Sequence, residues 1–306
     1  MGSCQCAYDC FAHESVNLND GRRSAIETVV QPGQTRDSFS SMIDKENRSG
    51  FKYWDSSWEA EGIQSFSLHT EVIEDAKWRY LVDDLKGYAG RSLEVGCGSG
   101  HFSALLADRG FDAFLLDYSP AALACARKSF AALKGRERKR YILGNALALP
   151  ISDGRMDVVL SCGTLEHFQN PQEPVREMVR VLREGGLFYA DICPKKFSLI
   201  GLLDFLYPKA PGWYEAELSK EEISGILRTS GLEDIKIFGA GVLPPRNIPG
   251  KGRIKLICML ERFLIERFKT VWTSFDGTKL ADWIGLYYFV TARKPKQPFK
   301  SPQSCR

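Results

Sequence analysis

The stretch Leu93-Glu94-Val95-Gly96-Cys97-Gly98-Ser99-Gly100-His101-Phe102 constrains this chain most, because it reads as a buried strand that breaks into a glycine turn and restarts as a helix. Three glycines at alternate positions carry no Cβ to hold a ligand off the backbone, and they allow the positive φ angles of a sharp strand-to-helix turn. The amides of such a turn, with those of the first helical residues, are placed to bind something negative. The spacing is G-x-G-x-G with an acid, Glu94, two places before the first glycine. Dinucleotide folds use G-x-G-x-x-G, so the spacing argues against a nicotinamide-dependent oxidoreductase. A plain turn rich in small residues is the alternative that the loop by itself leaves open.

A second signal lies downstream. Asp117, followed by Tyr118, closes the run Phe111-Asp112-Ala113-Phe114-Leu115-Leu116. That puts a carboxylate at the end of a second strand, about 20 residues beyond the loop, where an acid holds ribose hydroxyls in nucleotide folds. A carboxylate can accept from both hydroxyls at once. A turn residue ahead of the Ser119-Pro120 helix start is the compatible, blander reading.

From there the chain alternates as a parallel sheet demands. Short apolar runs near Ser92–Val95, Ala113–Asp117, Tyr141–Leu143, Met156–Ser161 and Leu187–Ile192 are separated by helical patterns near Phe102–Asp108, Pro120–Leu133 and Pro171–Leu182. Ser119 caps with Pro120 at the first helical position, and Asn170-Pro171 with Glu173 has the form of a capping box. Gly185-Gly186 is placed to stop the third helix. Ser219 with Glu222 gives a further box, leading to strands near Glu233–Phe238 and Tyr287–Ala292.

These stretches resemble the ordered motifs of the class I S-adenosylmethionine-dependent methyltransferases. The glycine loop is similar to their motif I, which wraps the amino acid end of the cofactor. Gly144-Asn145-Ala146 stands where relatives carry Gly-Asp-Ala against the adenine; Asn145 keeps an accepting carbonyl but loses a charge. The fourth strand, Met156 to Ser161 and then Cys162-Gly163-Thr164-Leu165-Glu166-His167-Phe168, resembles motif IV of the type 11 group that includes ubiquinone and menaquinone biosynthesis enzymes. Arg180-Val181-Leu182-Arg183-Glu184-Gly185-Gly186 is similar to that group's Arg-x-Leu-x-x-Gly-Gly. The likeness is good from Arg91 to Ile192 and loose on the flanks.

The resemblance implies a Rossmann-like α/β fold: a doubly wound, seven-stranded, mostly parallel sheet with helices on both faces. It implies S-adenosyl-L-methionine as cofactor, held by Glu94, Gly96, Cys97, Gly98, Gly100, Asp117, Tyr118, Asn145, Ala146 and Ser161. Methyl transfer from a sulfonium needs alignment and exclusion of water more than covalent help. A base is required only where the acceptor must lose a proton, and His167, just past the fourth strand, is the candidate; holding the turn is its other reading. Cys162 lacks the preceding proline of cysteine-dependent pyrimidine methyltransferases. Gly163-Thr164 also lacks the Pro-Pro-Tyr-like run of nucleic-acid amino methyltransferases, so nucleic acid is disfavoured as acceptor.

The flanks give organisation. Residues 1–50 are polar and weakly periodic and are expected to form a mobile arm. Residues 51–293 form the methyltransferase domain, with lid insertions about 194–215 and 240–275, and 294–306 form a basic tail. Tyr53, Trp54 and Trp58 begin the domain ahead of a helix from Thr70 to about Leu85; in families resembling this one such a segment folds over the cofactor cleft, and anchoring an arm is the plainer use of aromatics. The segment 254–269 is amphipathic, which fits packing on the sheet or lid, a greasy acceptor, or a membrane surface.

Charge is skewed: residues 251–306 hold 12 Lys and Arg against 4 Asp and Glu, while the whole chain is only +3. No signal peptide pattern or membrane-spanning run is present, which reads as a cytoplasmic protein. Cys4, Cys6, Cys10 and His13 could supply four zinc ligands but lack a C-x-x-C knuckle, so no metal is expected. The favoured activity is methylation of an O, N or C atom of a small, hydrophobic metabolite. An RNA or protein methyltransferase using the basic C-terminal region, and a non-catalytic cofactor-binding scaffold, are the alternatives.

Overall fold

The computed structural model describes residues 54–59, 68–131, 139–193, 214–242, 263–264 and 267–296. The arm 1–50 with its Cys4, Cys6, Cys10 and His13, most of the insertions at 194–215 and 240–275, most of the amphipathic segment 254–269 and the end of the tail lie outside them.

Seven strands form one sheet in the order β3-β2-β1-β4-β5-β7-β6. They are β1 (Arg91–Val95), β2 (Asp112–Asp117), β3 (Lys139–Leu143), β4 (Met156–Cys162), β5 (Leu182–Ile192), β6 (Glu233–Ala240) and β7 (Tyr287–Arg293). Only β7 runs against the rest, pairing antiparallel with both β5 and β6. The chain starts centrally at β1, walks out to β3, then returns to β4 on the other side. That reversal opens a crevice at the carboxyl ends of β1 and β4, where open α/β sheets bind ligands.

Helices cover both faces, because every central strand is buried on both. α1 (Leu68–Asp84), α2 (His101–Asp108) and α3 (Pro120–Ala131) lie on one side, and α4 (Gln172–Val181) and α5 (Lys220–Thr229) on the other. Strand alternation sorts the residues. Leu93, Val159, Phe188, Ala190 and Val290 pack with Met178 and Ile223, whereas Val158, Leu160, Tyr189, Tyr287 and Phe289 pack with Trp78, Leu81 and Phe102. Two short helices, α6 (Lys269–Ser274) and α7 (Lys279–Ile284), precede β7, and α7 packs on β6; Gly239 admits α7 so closely that a Cβ would stand 2.3 Å from Ala281 O.

Local chemistry explains the element ends. Ser119 Oγ accepts from Ala122 N at 3.1 Å, and Ser219 and Glu222 form the reciprocal box at the start of α5. At the start of α4 the expected box is replaced. Asn170 Nδ2 donates to Glu173 Oε1 (2.9 Å), so the acid binds a side-chain amide rather than the backbone.

The third helix is also shorter than its pattern implies, since β5 begins at Leu182 immediately after α4. Gly185 and Gly186 belong to an irregularity inside that strand, where pairing jumps from Met156↔Leu182 to Val158↔Leu187. Gly185 takes φ +69° there. The α4 end is satisfied from β7's side instead, with Lys294 Nζ donating to the carbonyls of Val179 and Leu182 at 2.8 and 2.7 Å.

Candidate functional site

β1 hands over to α2 through a turn folded across the end of β2. Gly96 N and Cys97 N both donate to Leu116 O, at 2.9 and 3.0 Å. Gly96, Gly98 and Gly100 take φ +70°, +49° and +69°, so residues with side chains would be strained at each. The three glycines nevertheless face different things. A Cβ at Gly100 would meet Leu115 and Ala126, that at Gly96 would meet Thr164 Oγ1 at 2.4 Å, and that at Gly98 would meet Trp58 Cζ2 at 2.6 Å. Gly100 therefore serves core packing, and the other two are overlain by removable side chains.

Asp117 lies beside this turn, 4% exposed. Its Oδ2 accepts from Gly98 N and its Oδ1 from Ser119 N, both at 2.9 Å. Burial raises its pKa to about 6, although the amides of Ser119 and Gly98 oppose that shift. A carboxylate has about four lone-pair positions, so each oxygen retains capacity for a ligand hydroxyl.

The remaining expected cofactor contacts divide. Tyr118 follows Asp117, half-buried, its hydroxyl pKa pushed up by burial. Asn145 lies past the end of β3, but its Oδ1 already accepts from Leu147 N at 2.9 Å and holds a turn. Glu94 is drawn behind the loop: its Oε2 accepts from Ser103 Oγ (2.5 Å) and Ser103 N (2.9 Å) in the first turn of α2, satisfying one of that helix end's free amides. Burial raises Glu94 to about 8. Cys97 and Ala146 are buried in core clusters, and burial pushes the Cys97 thiol well up. Ser161 alternates with Leu160 towards the α4 face, and its Oγ has no hydrogen-bond partner among the described residues. The turn glycines, Asp117, Tyr118 and Asn145 thus share one edge, while Glu94, Cys97, Ala146 and Ser161 sit behind or beside it.

Past β4, Leu165–His167 form a single 3₁₀ turn. His167 Nδ1 lies 2.8 Å from Tyr214 O. A carbonyl has no hydrogen to give, so Nδ1 carries the proton and Nε2 the lone pair in the neutral ring. The ring also meets Trp54 edge-on at 4.9 Å. Glu166 is buried, its Oε1 accepting from Cys193 N at 3.1 Å and its Oε2 unpartnered among the described residues; burial lifts it to about 8. The backbone of the same turn accepts from Ala216 N at 2.6 Å, so Leu165-Glu166-His167 ties together β4, β5 and the segment after the first insertion.

Sequence reasoning missed the charges beneath this turn. Lys77 of α1 is 2.9 Å from Asp191 Oδ1 and 3.1 Å from Glu74 Oε1, and stands over the Tyr287 ring. Burial alone would depress Lys77, but Asp191 and Glu74 outweigh it and hold the amine well above its usual range. The available signal was Asp191 itself, a lone charge in the run Leu187-Phe188-Tyr189-Ala190-Asp191-Ile192. Asp55 was also missed. Its Oδ1 accepts from Ser119 Oγ at 2.6 Å and from Ala121 N at 3.3 Å.

This fold is that of the class I S-adenosylmethionine-dependent methyltransferases, and the family described as "Methyltransferase domain" matches residues 93–190. That segment is an S-adenosylmethionine-dependent methyltransferase domain. A probable S-adenosylmethionine-dependent methyltransferase of Mycolicibacterium smegmatis is 34% identical over 146 residues, covering 47% of this chain and 53% of the relative. A demethylmenaquinone methyltransferase of Renibacterium salmoninarum is 34% identical over 116 residues, covering 36% and 45%. The chain spans about half the length of the curated relatives it matches. Among solved structures, an S-adenosylmethionine-dependent methyltransferase of Thermotoga maritima shares the fold with TM-score 0.54 at 19% identity, over 80% of this chain and 98% of that one. Among the described residues no group of His, Cys, Asp and Glu is arranged to hold a metal, and no helix is long and apolar enough to cross a membrane.

Proposed function

We propose that the whole protein transfers a methyl group from S-adenosylmethionine to an O, N or C atom of a small, hydrophobic acceptor. The observation that carries this reading is Asp117: a buried carboxylate at the end of β2, held by amides from both sides and set against a turn of positive-φ glycines. These residues fit the cofactor, because the acid is preorganised to accept two hydroxyls and the turn can admit backbone contact once Trp58 withdraws. When bound, the cofactor supplies a methyl group already activated by its sulfonium.

The chain's own residues do the rest. Asp117 accepts the ribose hydroxyls, Tyr118 and Asn145 flank the adenine side, and the loop amides orient the amino acid end. His167 takes the acceptor proton at Nε2, its tautomer fixed by the Nδ1 bond to Tyr214 O. Support for an apolar acceptor comes from the Phe- and Leu-rich sequence 197–206 and from exposed apolar side chains on α6 and α7, Val271 and Trp283. The demethylmenaquinone-methylating relative takes such a substrate by its name.

Incubation with methyl-labelled cofactor and fractionated cell extract tests the reading. Label is expected in the organic-soluble, low-molecular-weight fraction. Label confined to RNA or protein would overturn the acceptor class, and none in any fraction would overturn the activity.

A further inference from the structure

The residues 54–59 form a short helical segment that crosses the carboxyl edge of the sheet. At about 100° per residue, Trp54, Asp55 and Trp58 share one face, and each makes a distant contact. Trp54 meets the His167 ring, and Asp55 accepts from Ser119 Oγ and Ala121 N at the start of α3. Trp58 presses its indole onto Gly98, while its carbonyl is 3.8 Å from Cys125 Sγ. The segment is therefore pinned after β2 and after β4, with the indole on the glycine between them.

Gly98 N is also the amide that binds Asp117, so the indole covers the centre of the edge assigned to the cofactor. An atom 2.6 Å from where a Cβ would stand leaves no room for a ligand against that Cα. We propose that segment 54–59 is an access latch, in which Trp58 is the plug and Asp55 the catch, and that the plugged and cofactor-loaded states exclude one another. This rests on the assignment of the cofactor to the Gly96–Gly100 turn and Asp117. Asp55 and Trp58 are positioning residues: they set how often the edge is open and take no part in methyl transfer.

The consequence is thermodynamic. Binding that requires a fractionally populated open state has its affinity reduced by that fraction, and removing the closing contacts restores it. Loss of a catch made of two hydrogen bonds to a charged oxygen is expected to raise the open fraction roughly tenfold or more.

The test is stopped-flow and calorimetric binding of S-adenosylhomocysteine to the full chain and to the Asp55→Ala and Trp58→Ala variants, each checked by its melting curve. Both variants are expected to bind about tenfold tighter, through faster association with an unchanged dissociation rate. Weaker or unchanged binding in both would overturn the latch and make Trp58 a wall of the loaded site. An Asp117→Ala variant run alongside separates the assumptions: if it binds as the unaltered chain does, the cofactor assignment fails, whatever the other two show.

Discussion

The two halves of the sheet are built on different principles. On the β1-β2-β3 side, the proposed cofactor contacts are backbone amides and one acid, all within or adjacent to tight turns; Gly98 N, Asp117 and Ser119 N form a closed local set. On the β4-β5-β7 side, polar side chains meet across long stretches of chain: Lys77 with Asp191, Glu166 with Cys193, and His167 with Tyr214. The first half is set by geometry that any chain with that turn must adopt. The second keeps a buried charge network whose partners are brought together only by the finished fold.

The largest expected effect tests that contrast directly. Replacing Lys77 by Met leaves Asp191 and Glu74 buried without their cation, and breaking such a buried pair costs about 3–5 kcal/mol. Urea unfolding of Lys77→Met should show that loss, and the double variant Lys77→Met/Asp191→Asn should recover much of it, since no uncompensated charge remains at Asp191. A loss under about 1 kcal/mol in the single variant would mean that water screens the network, and the contrast between the halves would disappear.

Turnover sharpens the same comparison. His167→Ala is expected to lower kcat by about 10²- to 10⁴-fold, the usual range for an acid–base group. A fall of less than about tenfold would reduce His167 to a pin between Trp54 and Tyr214. Asp117→Ala should act on binding: it should weaken S-adenosylhomocysteine binding by about a hundredfold, for the loss of charge-assisted bonds to two hydroxyls, and leave Lys77-dependent stability untouched.

The same division explains what the sequence disclosed. The sheet, the loop, Asp117 and both serine caps are written as local spacing and strand period, which survive without knowledge of the fold. Gly185-Gly186 misled because paired glycines end helices more often than they relieve a strand irregularity, and the deciding contact, Lys294 on the α4 carbonyls, comes from near the end of the domain. Glu94 has an acid's position in motif I, yet Ser103, a residue of α2, claims its carboxylate. Trp58 could be recognised as one of an aromatic cluster, but nothing in its neighbours specifies that it settles on Gly98.

The last expected effect concerns protons and spans both halves. Burial raises Glu94 and Glu166 from 4.5 to about 8, so the folded chain holds both protons more tightly than the unfolded one between those values. Stability from these groups is fully present below the unfolded pKa and is lost as pH rises through about 8. The melting midpoint should therefore fall as pH rises from about 6.5 to about 8, above the range in which Asp117, raised to about 6, and His101, lowered by burial from 6.5 to about 4, change their protons, and level off above that. The double variant Glu94→Gln/Glu166→Gln, neutral throughout, should flatten that segment of the profile, while the amide oxygen introduced at position 94 still accepts from Ser103. If the slope persisted in the double variant, the protons would belong elsewhere and both carboxylates would be ionised in the native protein. Glu166 would then carry its charge beside Asp191 with Lys77 as the shared counter-ion, and the β4-β5-β7 half would rest on four charges where Lys77, Asp191 and Glu74 are now assigned.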